Sequence, residues 1–161
     1  MRFPSTLVLL LSITALAGCA SPGSFAPGSS IVDVRARVGI PTDIRFDRNG
    51  DELWEYAQGP AGYQTYVLRF GGDGRVKEVT QTLTEDQLMK IVPGTMTKAD
   101  ARNLLGRPSD ETFTGAGTTW SWRFYRTGMQ PGYLLVTFNP DNTVKERIAI
   151  IDPSGARKES K

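Results

Sequence analysis

The residues that could do chemistry are few. Of 161 residues none is histidine, and Cys19 is the single cysteine. The commonest neutral-pH general base and metal ligand is therefore missing, and a thiol pair of the kind that zinc sites use has no second member. No GxSxG, P-loop or CxxC stretch occurs. Paired carboxylates serve glycoside hydrolysis, yet the acidic residues here fall at helix starts and turns. Asp47-Arg48-Asn49-Gly50-Asp51-Glu52 spaces its oxygens as a calcium loop does, but the sixth position lacks glycine and the twelfth lacks glutamate. Asn49-Gly50 is instead a hairpin-turn signal. The residues point to no enzyme, no cofactor and no metal site.

What remains is Cys19 itself. Arg2 precedes an apolar run, Leu7 to Leu16, which leads into Leu16-Ala17-Gly18-Cys19. A positive start, a short apolar stretch and small residues before a cut make a secretory signal. The run falls short of the roughly 20 apolar residues a bilayer span needs. The LAGC tetrad resembles a bacterial lipobox, which implies cleavage after residue 18 and lipidation at Cys19. The multiple acyl chains that the resemblance implies would hold the chain durably, since one chain alone is marginal. Ala20 in the next position resembles an outer-membrane address. Residues 20–29, ASPGSFAPGS, are rich in Pro, Gly and Ser and read as a flexible tether, together with Cys19. Stretched, it would reach about 30 Å. Residues 154–161 read as a disordered polar tail.

The formal net charge is +2, and loss of the signal removes one arginine and no acid. That balance argues against the clustered basic surface of a nucleic-acid binder. With one cysteine no intramolecular disulfide forms, so a packed core must supply the stability.

The elements are revealed by a repeat. RARVGIPTD, from Arg35, returns as RNLLGRPSD, from Arg102, 67 residues later (102 − 35). Beyond it, Trp54 to Tyr56 answers Trp122 to Phe124, Val67 to Phe70 answers Leu135 to Phe138, and Asp73 to Glu78 answers Asp141 to Glu146, all displaced by 68 (122 − 54). One residue has entered between Pro108 and Trp122. A constant register on both sides of a single insertion marks an internal duplication.

Each copy has the same inner order. Ser30-x-x-Asp33 and Thr97-x-x-Asp100 are helix starts, with a hydroxyl to accept first-turn amides and a carboxylate at the positive end. Gly39 and Gly106 end those helices, and Pro41 and Pro108 forbid resumption. The period then changes to two, as in Trp120-Ser121-Trp122-Arg123-Phe124-Tyr125, the mark of a half-buried strand. A short helix from Thr84 joins the copies. The expected fold class is α+β: two tandem modules (30–83 and 84–153), each one or two short helices packed on a three- to four-stranded antiparallel sheet. Side by side the modules would share one extended sheet with the helices on one face.

That arrangement sends Trp54, Tyr56, Trp122 and Phe124 toward the helices as core. The opposite face then presents Val67, Arg69, Arg123, Tyr125, Tyr133 and Leu135. Tyr, Arg and aliphatic side chains on an uncovered sheet are what protein interfaces favour, so these six are the candidate partner-binding face.

Gly94, Thr97, Leu105, Gly106 and Pro108, followed by the aromatic strand WSWRFY, resemble the signature of the SmpA/OmlA (BamE-like) family of outer-membrane lipoproteins. The sequence departs from it in having Thr95-Met96 where the family has Met alone. The two-module arrangement is similar to that of β-lactamase inhibitory protein. The family resemblance implies a periplasm-facing lipoprotein of the outer membrane that binds protein partners, the β-barrel assembly machinery among them, with anionic phospholipid as a further ligand. It implies an accessory or scaffold role in outer-membrane assembly or envelope integrity. The alternative is an inhibitor-like or ligand-binding module that grips a periplasmic enzyme or a phospholipid.

Overall fold

A computed structural model describes residues 20–59, 62–115 and 117–152. The signal segment, the lipidation residue Cys19 and the polar tail at 154–161 lie outside the described residues. A 3-10 turn, Pro22–Ser24, is followed by α1 (Ile31–Val38) and strands β1 (Asp43–Phe46), β2 (Glu52–Ala57), β3 (Thr65–Phe70) and β4 (Val76–Gln81). Then come α2 (Glu85–Leu88), α3 (Lys98–Leu105), β5 (Asp110–Thr114), β6 (Gly117–Arg126), β7 (Gln130–Phe138) and β8 (Val144–Ile151).

The helix starts have the expected chemistry. The Ser30 hydroxyl accepts the Asp33 amide at 3.0 Å. Thr97 and Asp100 form a full capping box, each side chain accepting the other residue's amide. Gly39 and Gly106 close the two helices at φ +92° and +85°, a region other residues enter only with strain.

The α+β expectation is corrected by the proportions of these elements. Among the described residues, eight antiparallel strands stand against α-helices of only eight, four and eight residues. The chain is mostly antiparallel sheet with few helices. A two-turn helix hides too little to make a layer, whereas β6, β7 and β8 run ten, nine and eight residues and pair along their lengths. The single extended sheet is also corrected. There are two separate four-stranded sheets, ordered β1-β2-β3-β4 and β5-β6-β7-β8.

Each sheet has its own core. Trp54, Tyr56, Leu68, Phe70 and Val76 pack with Val34 of α1 and with Phe25. Trp120, Trp122, Phe124, Leu134, Val136, Phe138 and Val144 pack with Ala101 and Leu105 of α3 and with Leu83, Leu88 and Ile91 around α2. Arg147 on β8 donates to the carbonyls of Met89 at 2.6 Å and Ile91 at 3.0 Å, placing a cation where α2 ends.

The stretch at 20–29 is not the slack tether its composition suggests. Ala20 is half-buried against the first core, and Phe25 is only 6% exposed, with the Arg37 guanidinium 4.9 Å from its ring centre. The Ser21 hydroxyl caps the 3-10 turn. Gly28 and Ser29 exchange backbone hydrogen bonds with Val76 at 2.8 and 2.9 Å. One buried aromatic and two main-chain bonds outweigh the flexibility that Pro, Gly and Ser confer on an open chain.

Candidate functional site

Two places combine polar geometry with accessible surface: the joint between the modules and the outward face of the second sheet. The joint is built on Glu55, whose partner on β3 is Val67. The Glu55 side chain points away from the first core and is wholly buried. The C-terminal end of α3 covers it. Arg102 Nη1 donates to Glu55 Oε2 at 2.6 Å, Arg45 Nη1 to the same oxygen at 2.7 Å, and the Arg107 amide to Oε1 at 2.8 Å. Arg102 Nη2 also reaches Asp43 Oδ2 at 2.6 Å. Beside them the Thr82 hydroxyl donates to the Leu105 carbonyl at 2.8 Å. A buried carboxylate so surrounded holds the second module's helix against the first module's sheet.

Two hollows flank this clasp. One, about 220 Å³, lies among Leu53, Val67, Thr80, Asn103 and Leu104. The other, about 620 Å³, has Glu55 at its floor and Thr42, Thr65, Leu83, Arg107 and Ser109 among its walls. Both oxygens of the floor carboxylate are already taken by the clasp, so the charge the larger hollow offers comes from Arg107, Asp110 and Glu111 in its walls.

The outward face of the second sheet is built in rows across the strands. Ser121, Leu135 and Ile148 stand side by side, and Arg123, Tyr133 and Ile150 form the next row. Arg123 donates to the Tyr133 hydroxyl from Nε at 3.1 Å and Nη2 at 2.6 Å. Its guanidinium lies 5.2 Å from the Tyr133 ring centre and 5.7 Å from that of Tyr63. Tyr63 comes from the β2–β3 connection and stacks on Tyr125 at 4.4 Å. Hydrogen bonding to Tyr133 raises the pKa of Arg123, so the guanidinium keeps its charge. Burial pushes the Tyr63 hydroxyl above its ordinary pKa, against the pull of Arg123.

The six residues of the expected binding face are thus divided. Val67 is buried beneath the joint. Arg69 is half-buried and paired with Asp47, with Glu78 3.6 Å away. Arg123, Tyr125, Tyr133 and Leu135 are half-buried on the second sheet. The apolar extension of that surface went unread: Ile148 and Ile150 on β8 are 46% and 40% exposed. A signal for them exists in the repeat, because a displacement of 68 sets them against Thr80 and Thr82 in the first copy (148 − 80, 150 − 82). Asp47 sits in a turn, where its carboxylate accepts the amides of Asn49 at 2.8 Å and Asp51 at 3.0 Å. Burial would raise its pKa, but those amides with Arg69 and Lys77 outweigh it, and the pKa is lowered.

Fold and face together define a small, mostly antiparallel β protein of two like sheets locked by a buried ion cluster. No protein-family model and no curated protein matches the chain. Among solved structures it is similar to a DUF4309 family protein (YjgB) from Bacillus subtilis, at 18% identity over 77% of this chain and 79% of that one, with a TM-score of 0.28.

Proposed function

We propose that the chain is a lipid-anchored lipoprotein on the periplasmic side of the outer membrane, working by protein contact in outer-membrane assembly or envelope integrity. The lipobox-like LAGC tetrad supports the anchor. The observation that carries the contact role is the outward face of the second sheet. Its counterpart on the first sheet is covered by α3, whereas Leu135, Ile148 and Ile150 keep apolar surface beside Arg123 and two tyrosines. Such a mixture is what interface centres are made of. The SmpA/OmlA resemblance supplies the class of partner, the barrel-assembly machinery.

A photo-crosslinking residue at Glu146, exposed two positions before Ile148 on the same face of β8, tests this in cells, with copurifying proteins identified by mass spectrometry. Recovery of barrel-assembly components is the expected result. Recovery of a single hydrolase would favour the inhibitor-like reading instead. The double change Ile148→Thr and Ile150→Thr restores the first copy's residues and should abolish capture while leaving thermal unfolding nearly unchanged. Capture that survives it would place the contact elsewhere.

A further inference from the structure

The packing of residues 20–29 decides how the anchored molecule stands on a membrane. Resting on the lipid anchor proposed at Cys19, we infer that the first module lies directly on the bilayer, with the end of its sheet where β3 begins turned toward the headgroups.

Ala20 is already half-buried against the first core. Gly23 lies so close to Tyr66, at the start of β3, that a Cβ there would come within 2.6 Å of the ring. Ser24 is held to Ser21 by its amide at 3.0 Å and its hydroxyl at 2.8 Å. From there the segment runs to the start of β4, where Gly28 and Ser29 bond Val76 and the Arg75 side chain donates to the Gly28 carbonyl at 2.9 Å. A lipid on Cys19 is therefore one residue, about 3.8 Å, from packed backbone. With that little slack, acyl chains buried in the bilayer bring Ala20 and its neighbours to the headgroup layer. The turn at Gly71–Gly74 lies beyond the far end of β3, so with that end of the sheet turned down it stands farther from the headgroups. Six residues of strand span about 20 Å.

The test uses the full chain, purified with its lipid and reconstituted into phosphatidylethanolamine–phosphatidylglycerol vesicles. Single spin labels are placed through Ser24→Cys, near the anchor, and Gly72→Cys, in the far turn. Both positions are exposed, and a Cβ at Gly72 meets nothing within 4 Å. Relaxation by lipid-soluble oxygen and by a water-soluble nickel chelate reports depth. The Ser24 label should be shielded from nickel, and the Gly72 label should read as fully aqueous. Inserting twelve Gly/Ser residues between Ala20 and Ser21 should erase the contrast. Equal accessibility at both labels in the acylated, uninserted protein overturns this inference and leaves the anchor standing. Absence of the acyl mass on Cys19 overturns both.

Discussion

Replacing Glu55 by Gln tests whether charge locks the two modules together. The carboxylate is wholly buried and takes three N–H groups, from Arg102, Arg45 and the Arg107 amide, at 2.6, 2.7 and 2.8 Å. The side chains of Arg45 and Arg102 are themselves only 14% and 22% exposed. Among the described residues Arg45 Nε and Nη2 have no hydrogen-bond partner, so its charge rests on Glu55 at 2.7 Å and, more weakly, on Asp43 at 3.5 Å. The amide preserves shape, but it removes the negative charge and turns one acceptor into a donor facing donors. Breaking one side of a buried pair costs about 3–5 kcal/mol, because the surviving charge stays out of water. Asp43 still holds Arg102 at 2.6 Å, which sets the expected loss near about 3 kcal/mol. For a domain of this size that lowers the melting temperature by about 6–12 °C. Urea and thermal unfolding of Glu55→Gln, Arg102→Met and the double variant measure both the loss and the coupling. The exposed pair of Arg48 with Asp100 is the control, since its guanidinium side chain is 91% exposed; Arg48→Ala should change stability very little. A Glu55→Gln loss under about 1 kcal/mol, or a coupling under about 0.5 kcal/mol, would refute the clasp.

Four further substitutions test the helix ends and the anchor. Gly39→Ala should cost about 1–3 kcal/mol from backbone strain alone, because nothing lies within 4 Å of its Cβ position. Gly106→Ala should cost at least about 1 kcal/mol more, since its methyl would press within 3.1 Å of Glu55 and Thr65; equal losses in chemical denaturation would contradict the close approach. Hydrogen bonds from the Thr97 amide and hydroxyl lower the Asp100 pKa below 3.8, so its stabilisation is whole above that pH and is lost as pH falls through the depressed value. Asp100→Asn should flatten the acid limb of stability against pH, and an unchanged slope would remove the cap from that role. Cys19→Ser should release the protein from membrane fractions, and retention there would count against the anchor.

Local structure was legible where a residue type does one thing. Ser30, Thr97, Gly39 and Gly106 mark helix ends because few other side chains satisfy orphan amides or accept positive φ. Trp54 and Trp122 point inward because period-two alternation leaves aromatics on one side. The fold class misled because capped helices are conspicuous in sequence even when they last two turns, whereas the length of β6 to β8 shows only in pairing. The joint was illegible for another reason. Periodicity assigns Glu55 and Val67 to a face, but nothing local says that Arg102, 47 positions on, will cover it. Phe25 in the Pro/Gly/Ser stretch was the available warning that residues 20–29 pack. On β8, Ile148-Ala149-Ile150-Ile151 is apolar at successive positions, so alternation does not say which side faces out and Ile148 and Ile150 carry no mark of their own.

The clasp also limits how far the pattern can extend. Glu55 receives Arg102, and the matching position of the second sheet, 68 residues on (123 − 55), holds Arg123. Were another molecule to dock head-to-tail, its α1 would offer Arg35, the counterpart of Arg102 in the first copy. Guanidinium would meet guanidinium, and like charges brought together in a closing interface cost several kcal/mol, on the order found for mismatched partners. Open-ended stacking of this kind is how repeats grow into fibres. A reversal of sign at that one position therefore works against stacking one molecule head-to-tail on the next.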